Sequence, residues 1–269
     1  MKKSISIILG LILILSVFAA CSAKQKEPEQ PMSSNPTEDV VKTDEQTSDE
    51  EKTIILTEAE KVENDYLYEK YHYEGERTAQ NEKQEYKFRL PQLKSTSSQA
   101  EEINRKIINK YENLIKEQIE CAKNPDMFYS NIYWQSYINK GLLSIVIVDD
   151  NFAHDYKTYS VYLFDTNTEK TVSNSAVLAA AGISEDDFIS RAKEIAKELF
   201  SKVDFGNIDN AEKIKNERLD YMLSKDNISI NTPMFIDNSG TLNAIIEIGQ
   251  AGEADYKYEI IQVASTENN

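Results

Sequence analysis

Leu142-Leu143-Ser144-Ile145-Val146-Ile147-Val148 is almost continuously apolar, and its length suits a strand set centrally in a sheet. Just upstream, Asn139-Lys140-Gly141 has the composition of a short hairpin loop, with Gly able to take positive φ, so Ile132 to Tyr137 is the preceding strand. Downstream, Thr158 to Phe164 alternates, with Tyr159, Val161 and Leu163 on one side and Tyr162 and Phe164 on the other. Asp165-Thr166-Asn167-Thr168 then turns the chain into Thr171-Val172. The pattern predicts an antiparallel meander.

Further upstream, Tyr86-Lys87-Phe88-Arg89-Leu90-Pro91 also alternates and predicts a strand closed by Pro91. Ser97 or Ser98 can cap a long helix whose apolar stripe is Ala100, Ile103, Ile107, Tyr111, Leu114 and Ile119, with Pro125 beyond its end. A second helix starts at Ser184, with Asp187 three residues on as in a capping box, and has a stripe of Phe188, Ala192, Ile195 and Leu199. A shorter helix spans Ala211 to Ser224, with Ile214, Leu219 and Met222 inward. Met234-Phe235-Ile236 and Leu242 to Ile248 are strands joined by Asp237-Asn238-Ser239-Gly240, and Tyr256 to Ile261 closes the domain. The predicted class is α+β: antiparallel sheet packed with two long helices and one shorter helix.

The flanks read differently. Lys2 and Lys3 precede an apolar run from Ile5 through Ile14, followed by Leu15-Ser16-Val17-Phe18-Ala19-Ala20-Cys21. A charged start, a short apolar stretch and small residues before a cut site predict a secretory signal over residues 1–20. Ala19-Ala20-Cys21 resembles a lipobox, with Phe18 where that motif most often has Leu. The resemblance implies diacylation of the Cys21 thiol, anchoring on the extracytoplasmic face of a cell membrane, and stable attachment by two chains. Residues 21–65 are an acidic linker: Lys24 to Lys52 carries nine Asp/Glu and four Lys and no aromatic residue, too little apolar surface to offset ordering. The body divides into an N-terminal α+β unit, residues 66–172, and a C-terminal α+β unit, residues 173–269.

Formal charge is −16, which argues against nucleic acid and anionic lipid headgroups as partners and favours cationic ones. Of the two cysteines, Cys21 is assigned to lipid, so Cys121 has no intrachain partner and is read as a buried small hydrophobe.

Motifs for catalysis are missing. There is no Gly-x-Ser-x-Gly elbow, no Walker loop and no dinucleotide fingerprint, and eight glycines leave little room for one. Carboxylates are too numerous to single out a glycosidase pair. The expectation is a protein that is not an enzyme and carries no cofactor. Asp149, Asp150, His154 and Asp155 are the metal candidates, in a loop between two strands. Calcium would need alternating oxygen ligands, a Gly and a distal Glu, and zinc would need another ligand where only His72 remains. The unusual feature is 15 tyrosines. Tyr66, Tyr68, Tyr71 and Tyr73 crowd one stretch; Tyr129, Tyr133, Trp134 and Tyr137 crowd another and are the candidate ligand-binding residues, since such rings suit protein interfaces and sugar surfaces. Alternation on strands, with the rings packed into a core, also explains many of them.

The order of landmarks carries a resemblance. Tyr86-x-Phe88-x-Leu90-Pro91 precedes a helix with Ile103-Asn104-x-x-Ile107, then come Leu143-Ser144-Ile145, Leu163-Phe164-Asp165-x-Asn167-Thr168 and Phe235-Ile236-x-x-x-Gly240-x-Leu242. From about Tyr86 to Val263 the chain resembles the extracytoplasmic domain shared by lysozyme-sensing anti-sigma factors and the N-terminal region of peptidoglycan deacetylases, a pair of adjoining domains of unknown function. The resemblance implies an α+β fold and lysozyme or a cell-wall glycan as ligand. The chain departs from it in three places. A lipobox stands where the anti-sigma factors have a sigma-binding segment and a spanning helix. The deacetylase domain with its Asp-Asp and paired-His metal site is missing. Gly249-Gln250-Ala251-Gly252-Glu253-Ala254 replaces the Tyr-rich terminal stretch. The competing expectations are an accessory structural envelope lipoprotein and an enzyme acting on wall glycan.

Overall fold

The apolar run Leu142 to Val148 lies in a strand with cores on both of its faces. A computed structural model describes residues 57–58, 65–79, 82–127, 129–151, 156–206, 208–251 and 255–265. The leader, Cys21, nearly all of the linker, His154, Asp155 and residues 266–269 lie outside the described residues. In chain order the elements are β1 (Thr57–Glu58), β2 (Leu67–Ala79), β3 (Glu82–Leu93), α1 (Ser98–Ala122), β4 (Asn131–Asn139), β5 (Leu142–Asn151), β6 (Tyr156–Asp165), β7 (Lys170–Thr171), α2 (Asn174–Ala180), α3 (Glu185–Ser201), α4 (Ala211–Met222), β8 (Met234–Ile236), β9 (Thr241–Gly249) and β10 (Tyr256–Ser265). The class is α+β, with four helices among the described residues rather than three.

The seven strands β1 to β7 form one sheet in sequence order. Neighbours are antiparallel except β3 and β4, which meet in parallel at Phe88 and Ile132 because α1 carries the chain across between them. A second, antiparallel sheet has the order β10-β9-β8. All the described residues belong to one compact unit that begins near Glu50, and residue 172, the expected unit boundary, falls between β7 and α2 inside it.

Period-two alternation along β5 divides the interior. Leu143, Ile145 and Ile147, with Phe164 of β6, join the core under α1. Val146, with Leu163, joins the core made by α2, α3, α4 and the small sheet. Coverage on both faces explains why the run is so uniformly apolar. Its one polar member, Ser144, is fully buried and donates its Oγ hydrogen to the Ile236 carbonyl at 3.2 Å, tying the two sheets together. The loop Lys140-Gly141 has φ of +48° and +88°, the left-handed pair that a two-residue hairpin turn requires. A side chain at Gly141 would also collide with Asn167, whose Nδ2 would lie 2.0 Å from the added Cβ.

Ser97 caps α1 by accepting from the Ala100 N–H at 3.2 Å. The fully covered stripe is Ala100, Ile103, Ile107, Tyr111, Ile115 and Ala122. Ile115 takes the inner position, four residues on from Tyr111, and Leu114 flanks it against the same core. In α3 the inner residues are Phe188, Ala192, Ala196 and Phe200, with Ile195 and Leu199 flanking. Ala196 lets the helix sit close to the small sheet, and Gly249 leaves room for the Phe200 ring, 2.8 Å from where a Cβ would be. In α4, Met222 is buried with Arg218, not with Leu219.

Two elements differ from the sequence expectation. Pro91 does not end its strand. β3 continues to Leu93, and Pro91 sits where β2 bulges between Glu69 and Tyr71, so its missing N–H falls at a break in the ladder. The strand β2 itself has no apolar alternation, yet it pairs with β3 along its whole length.

Candidate functional site

Sequence neighbours on a strand point to opposite faces, and this scatters the aromatic group expected to bind ligand. Tyr129 is 2 % exposed, edge-on to Phe88 at 6.0 Å, with Arg77 over its ring at 4.4 Å. Trp134 packs into the core beneath α1. Tyr137 lies on the other face, stacked on Phe235 at 5.1 Å. Tyr133 shares that face but reaches Asp150 at 3.4 Å, well along the strand. Of the earlier stretch, Tyr71 donates to Glu112 of α1 at 2.6 Å, and burial together with that carboxylate pushes its hydroxyl up to about 12. Tyr71 fastens β2 to α1, whereas Tyr133 and Tyr137 meet other strands.

The metal candidates are divided in the same way. Asp150 is paired with Lys157 at 2.8 Å, while Asp149 is held toward Lys110 of α1 and Ser130, burial raising its carboxyl above the ordinary range. The two carboxylates of neighbouring strand residues cannot grip one ion together. Among the described residues no group of three or more His, Cys, Asp or Glu side chains could hold a metal.

Two carboxylates do collect aromatic donors. The first is Glu69 of β2, fully buried. Its Oε1 accepts from Trp134 Nε1 at 2.6 Å, Arg89 Nε at 2.8 Å and Arg89 Nη2 at 2.7 Å. Its Oε2 meets His72 Nδ1, and His72 is 6 % exposed. Arg89 also reaches Glu74 at 3.4 Å and lies 6.0 Å over the Trp134 ring. Every oxygen of Glu69 is engaged and its charge is matched from within, so the cluster braces β2, β3 and β4 and has nothing free for proton transfer.

The second is Glu247 of β9, half-buried at the junction of the two sheets. Tyr221 of α4 donates to its Oε2 at 2.5 Å, and Tyr258 of β10 also bonds its carboxylate. Around it the rings form a belt. Tyr221 lies 4.6 Å from Tyr256, and Tyr258 lies 6.0 Å from Tyr156 and 6.4 Å from Tyr159. Tyr256 and Tyr258, two apart on one strand, share a face. Tyr133 continues the row past Tyr159. The hydrogen bond to Glu247 and burial push the Tyr221 hydroxyl up to about 12, and burial followed by Glu247 raises that of Tyr258. Burial also raises Tyr133, Tyr159 and Tyr256, so the belt presents neutral hydroxyl donors at physiological pH.

The cations nearby pair with other acids: Arg218 with Asp255 at 2.7 Å through Nη2, its Nη1 buried without a partner among the described residues, Lys157 with Asp150 at 2.8 Å and Lys257 with Glu259 at 2.9 Å. Glu247 has no ion-pair partner among the described residues. It is a carboxylate in an aromatic surround without a cation, which is the chemistry that receives an ammonium or guanidinium group. Sequence reasoning missed it because Tyr221, Glu247 and Tyr258 come from three different elements. The available signal was the alternation Tyr256-x-Tyr258 with a Glu at the matching register of the preceding strand. No protein-family model matches the chain, and no curated protein matches it. Among the described residues no helix is long and apolar enough to cross a membrane.

Proposed function

We propose that the protein is a lipid-anchored module on the outer face of a bacterial membrane that binds a cationic partner through the belt around Glu247, without catalysing a reaction. The observation that carries this reading is the unpaired Glu247 carboxylate, approached by two tyrosine hydroxyls on a chain of formal charge −16. A cationic protein such as lysozyme suits that charge, and the order of landmarks shared with lysozyme-sensing domains favours it as the first ligand to try. The lipobox-like Ala19-Ala20-Cys21 supports attachment through Cys21, and the acidic segment after it would hold the body off the membrane.

Each half has its own test. Membranes from cells making the full chain should hold the protein with a diacyl mass on Cys21, and Cys21→Ser should release it or leave the leader uncut. An unmodified sulfur on mature protein would end the anchor reading. Immobilised full chain should retain lysozyme at low salt and lose it as ionic strength rises. A surface that retains none at low salt would end the binding reading.

A further inference from the structure

The outer edge of β6 is a long strand edge of the large sheet beside which a recess opens. Along its inner edge β6 pairs with β5 from Tyr156 to Asp165. Along its outer edge β7 pairs only with Phe164 and Asp165. From Tyr156 to Tyr162 the outward backbone N–H and C=O groups have no strand partner among the described residues. All seven of these residues are partly exposed. An open edge of this kind is a template for another strand unless it is blunted by Pro, a bulge or a charge; this stretch has neither Pro nor bulge, and its one charged residue, Lys157, is paired with Asp150 at 2.8 Å.

A recess of about 390 Å3 runs beside that edge. Ser160 and Tyr162 of β6 form its floor, Lys110 of α1 stands at one wall, and Asn174, Asn231 and Pro233 form the other. Lys110 is the only charged side chain lining it. Its Nζ donates to Ser160 Oγ at 2.6 Å, as the Tyr111 hydroxyl does at 2.8 Å, and it makes no ion pair among the described residues. Lys110 is exposed but partly desolvated, which lowers its ammonium, while the Asp149 carboxylate acts the other way; an anion entering the recess would add to that support.

We propose that this recess receives an extended peptide segment of a partner protein, which adds to the sheet as a strand along β6 and sets a carboxylate against Lys110. Backbone hydrogen bonds to the β6 edge supply sequence-tolerant affinity, and side chains of alternate residues enter the recess, one of them acidic. Charge complementarity fixes the choice of partner. The recess is a cationic point on a chain of net negative charge, so a basic segment is disfavoured there. The site takes the opposite charge to the Glu247 belt, with which it shares Tyr156 and Tyr159, so Lys110→Glu and Glu247→Gln tell the two apart.

The test uses a displayed library of random seven-residue peptides selected on the full chain. Peptides of alternating pattern with an Asp or Glu should be enriched. They should bind Lys110→Glu about tenfold or more weakly, the loss of one charge pair, with thermal unfolding showing that the exposed variant keeps its fold. The bound peptide should slow hydrogen exchange at alternate amides of Tyr156 to Tyr162. Val161→Pro, which removes an outward N–H of the edge, should abolish binding, and Val161→Ala should not. Enrichment of basic peptides, binding indifferent to Lys110→Glu, no enriched peptide, or protection of β6 by self-association of the free chain would each overturn the proposal.

Discussion

Glu69 and Glu247 are built from the same parts and do opposite work. Each carboxylate sits on a strand and collects aromatic N–H or O–H donors. Glu69 is fully buried and has its cation inside the fold, two nitrogens of Arg89 on one oxygen. Glu247 is half-buried and its neighbouring cations are paired with other acids. A carboxylate whose counter-charge comes from the next strand holds strands together. One that keeps its aromatic surround but lacks the cation is left with an unmet charge at the surface, and that charge is available to a partner. The location of the compensating cation, more than the carboxylate or the aromatic rings, separates structural from functional acid chemistry in this chain.

The difference can be broken first at Glu69. Glu69→Ala strands Arg89 and the Trp134 N–H in a sealed site and should cost about 3–5 kcal/mol, measured by urea unfolding. A loss under about 1 kcal/mol would mean that water reaches the cluster freely and that the two sites are alike. At Glu247 the same measurement should show little. Glu247→Gln keeps an acceptor for the Tyr221 and Tyr258 hydroxyls, so stability should stay within about 1 kcal/mol of the parent.

Alkaline titration sharpens the contrast between belt and surface tyrosines. Tyr221, held up to about 12, keeps its proton when an unfolded tyrosine has already lost it near pH 10. The folded state therefore binds more protons over that window, and stability should fall as pH climbs from about 10 to 12. Absorbance at the phenolate band should show a late-titrating group in the folded protein, and Glu247→Gln should bring Tyr221 back toward its ordinary value. The smallest effect is expected at Asp149. Burial raises its carboxyl, so the folded state favours the protonated form and the ionised form subtracts stability as pH rises past the carboxylate range. Its Oδ1 is buried without a partner. Asp149→Asn should raise the melting temperature at neutral pH by a degree or two and have no benefit in acid, about the shift expected from a fraction of a kcal/mol.

How far the sequence could carry these statements depends on where each residue's partners lie. Strands β4, β5 and β6 were legible because one or both faces meet apolar cores, which writes a period into the sequence. The caps at Ser97 and Ser184 were legible because their partners lie three residues away. The strand β2 was not. Leu67 to Ala79 carries Glu69, Lys70, His72, Glu74, Glu76 and Arg77, and looks solvated. The groups that make its buried charges tolerable, Arg89 and Trp134, lie 20 and 65 residues away. The seven-residue α2 is too short to show a helical period, though Ser173 before it and Gly182 after it are cap residues. Grouping Tyr129, Tyr133, Trp134 and Tyr137 by nearness in sequence put rings from different faces into one site, whereas the belt assembles from α4, β4, β6 and β10. The motif residues behind the family resemblance turn out to be fold clamps. Asn104 holds both backbone groups of Leu93 at 2.8 and 2.9 Å, and Asp165 Oδ1 accepts from Asn167 and Thr168 in the turn.

The sharpest single measurement is titration calorimetry of lysozyme into the full chain at two ionic strengths, run in parallel on Glu247→Gln. Saturable binding at low salt, weakened by salt and lowered about tenfold or more by the substitution, is the expected result. Binding of equal strength in parent and variant would place the partner elsewhere and contradict the role given to the unpaired carboxylate.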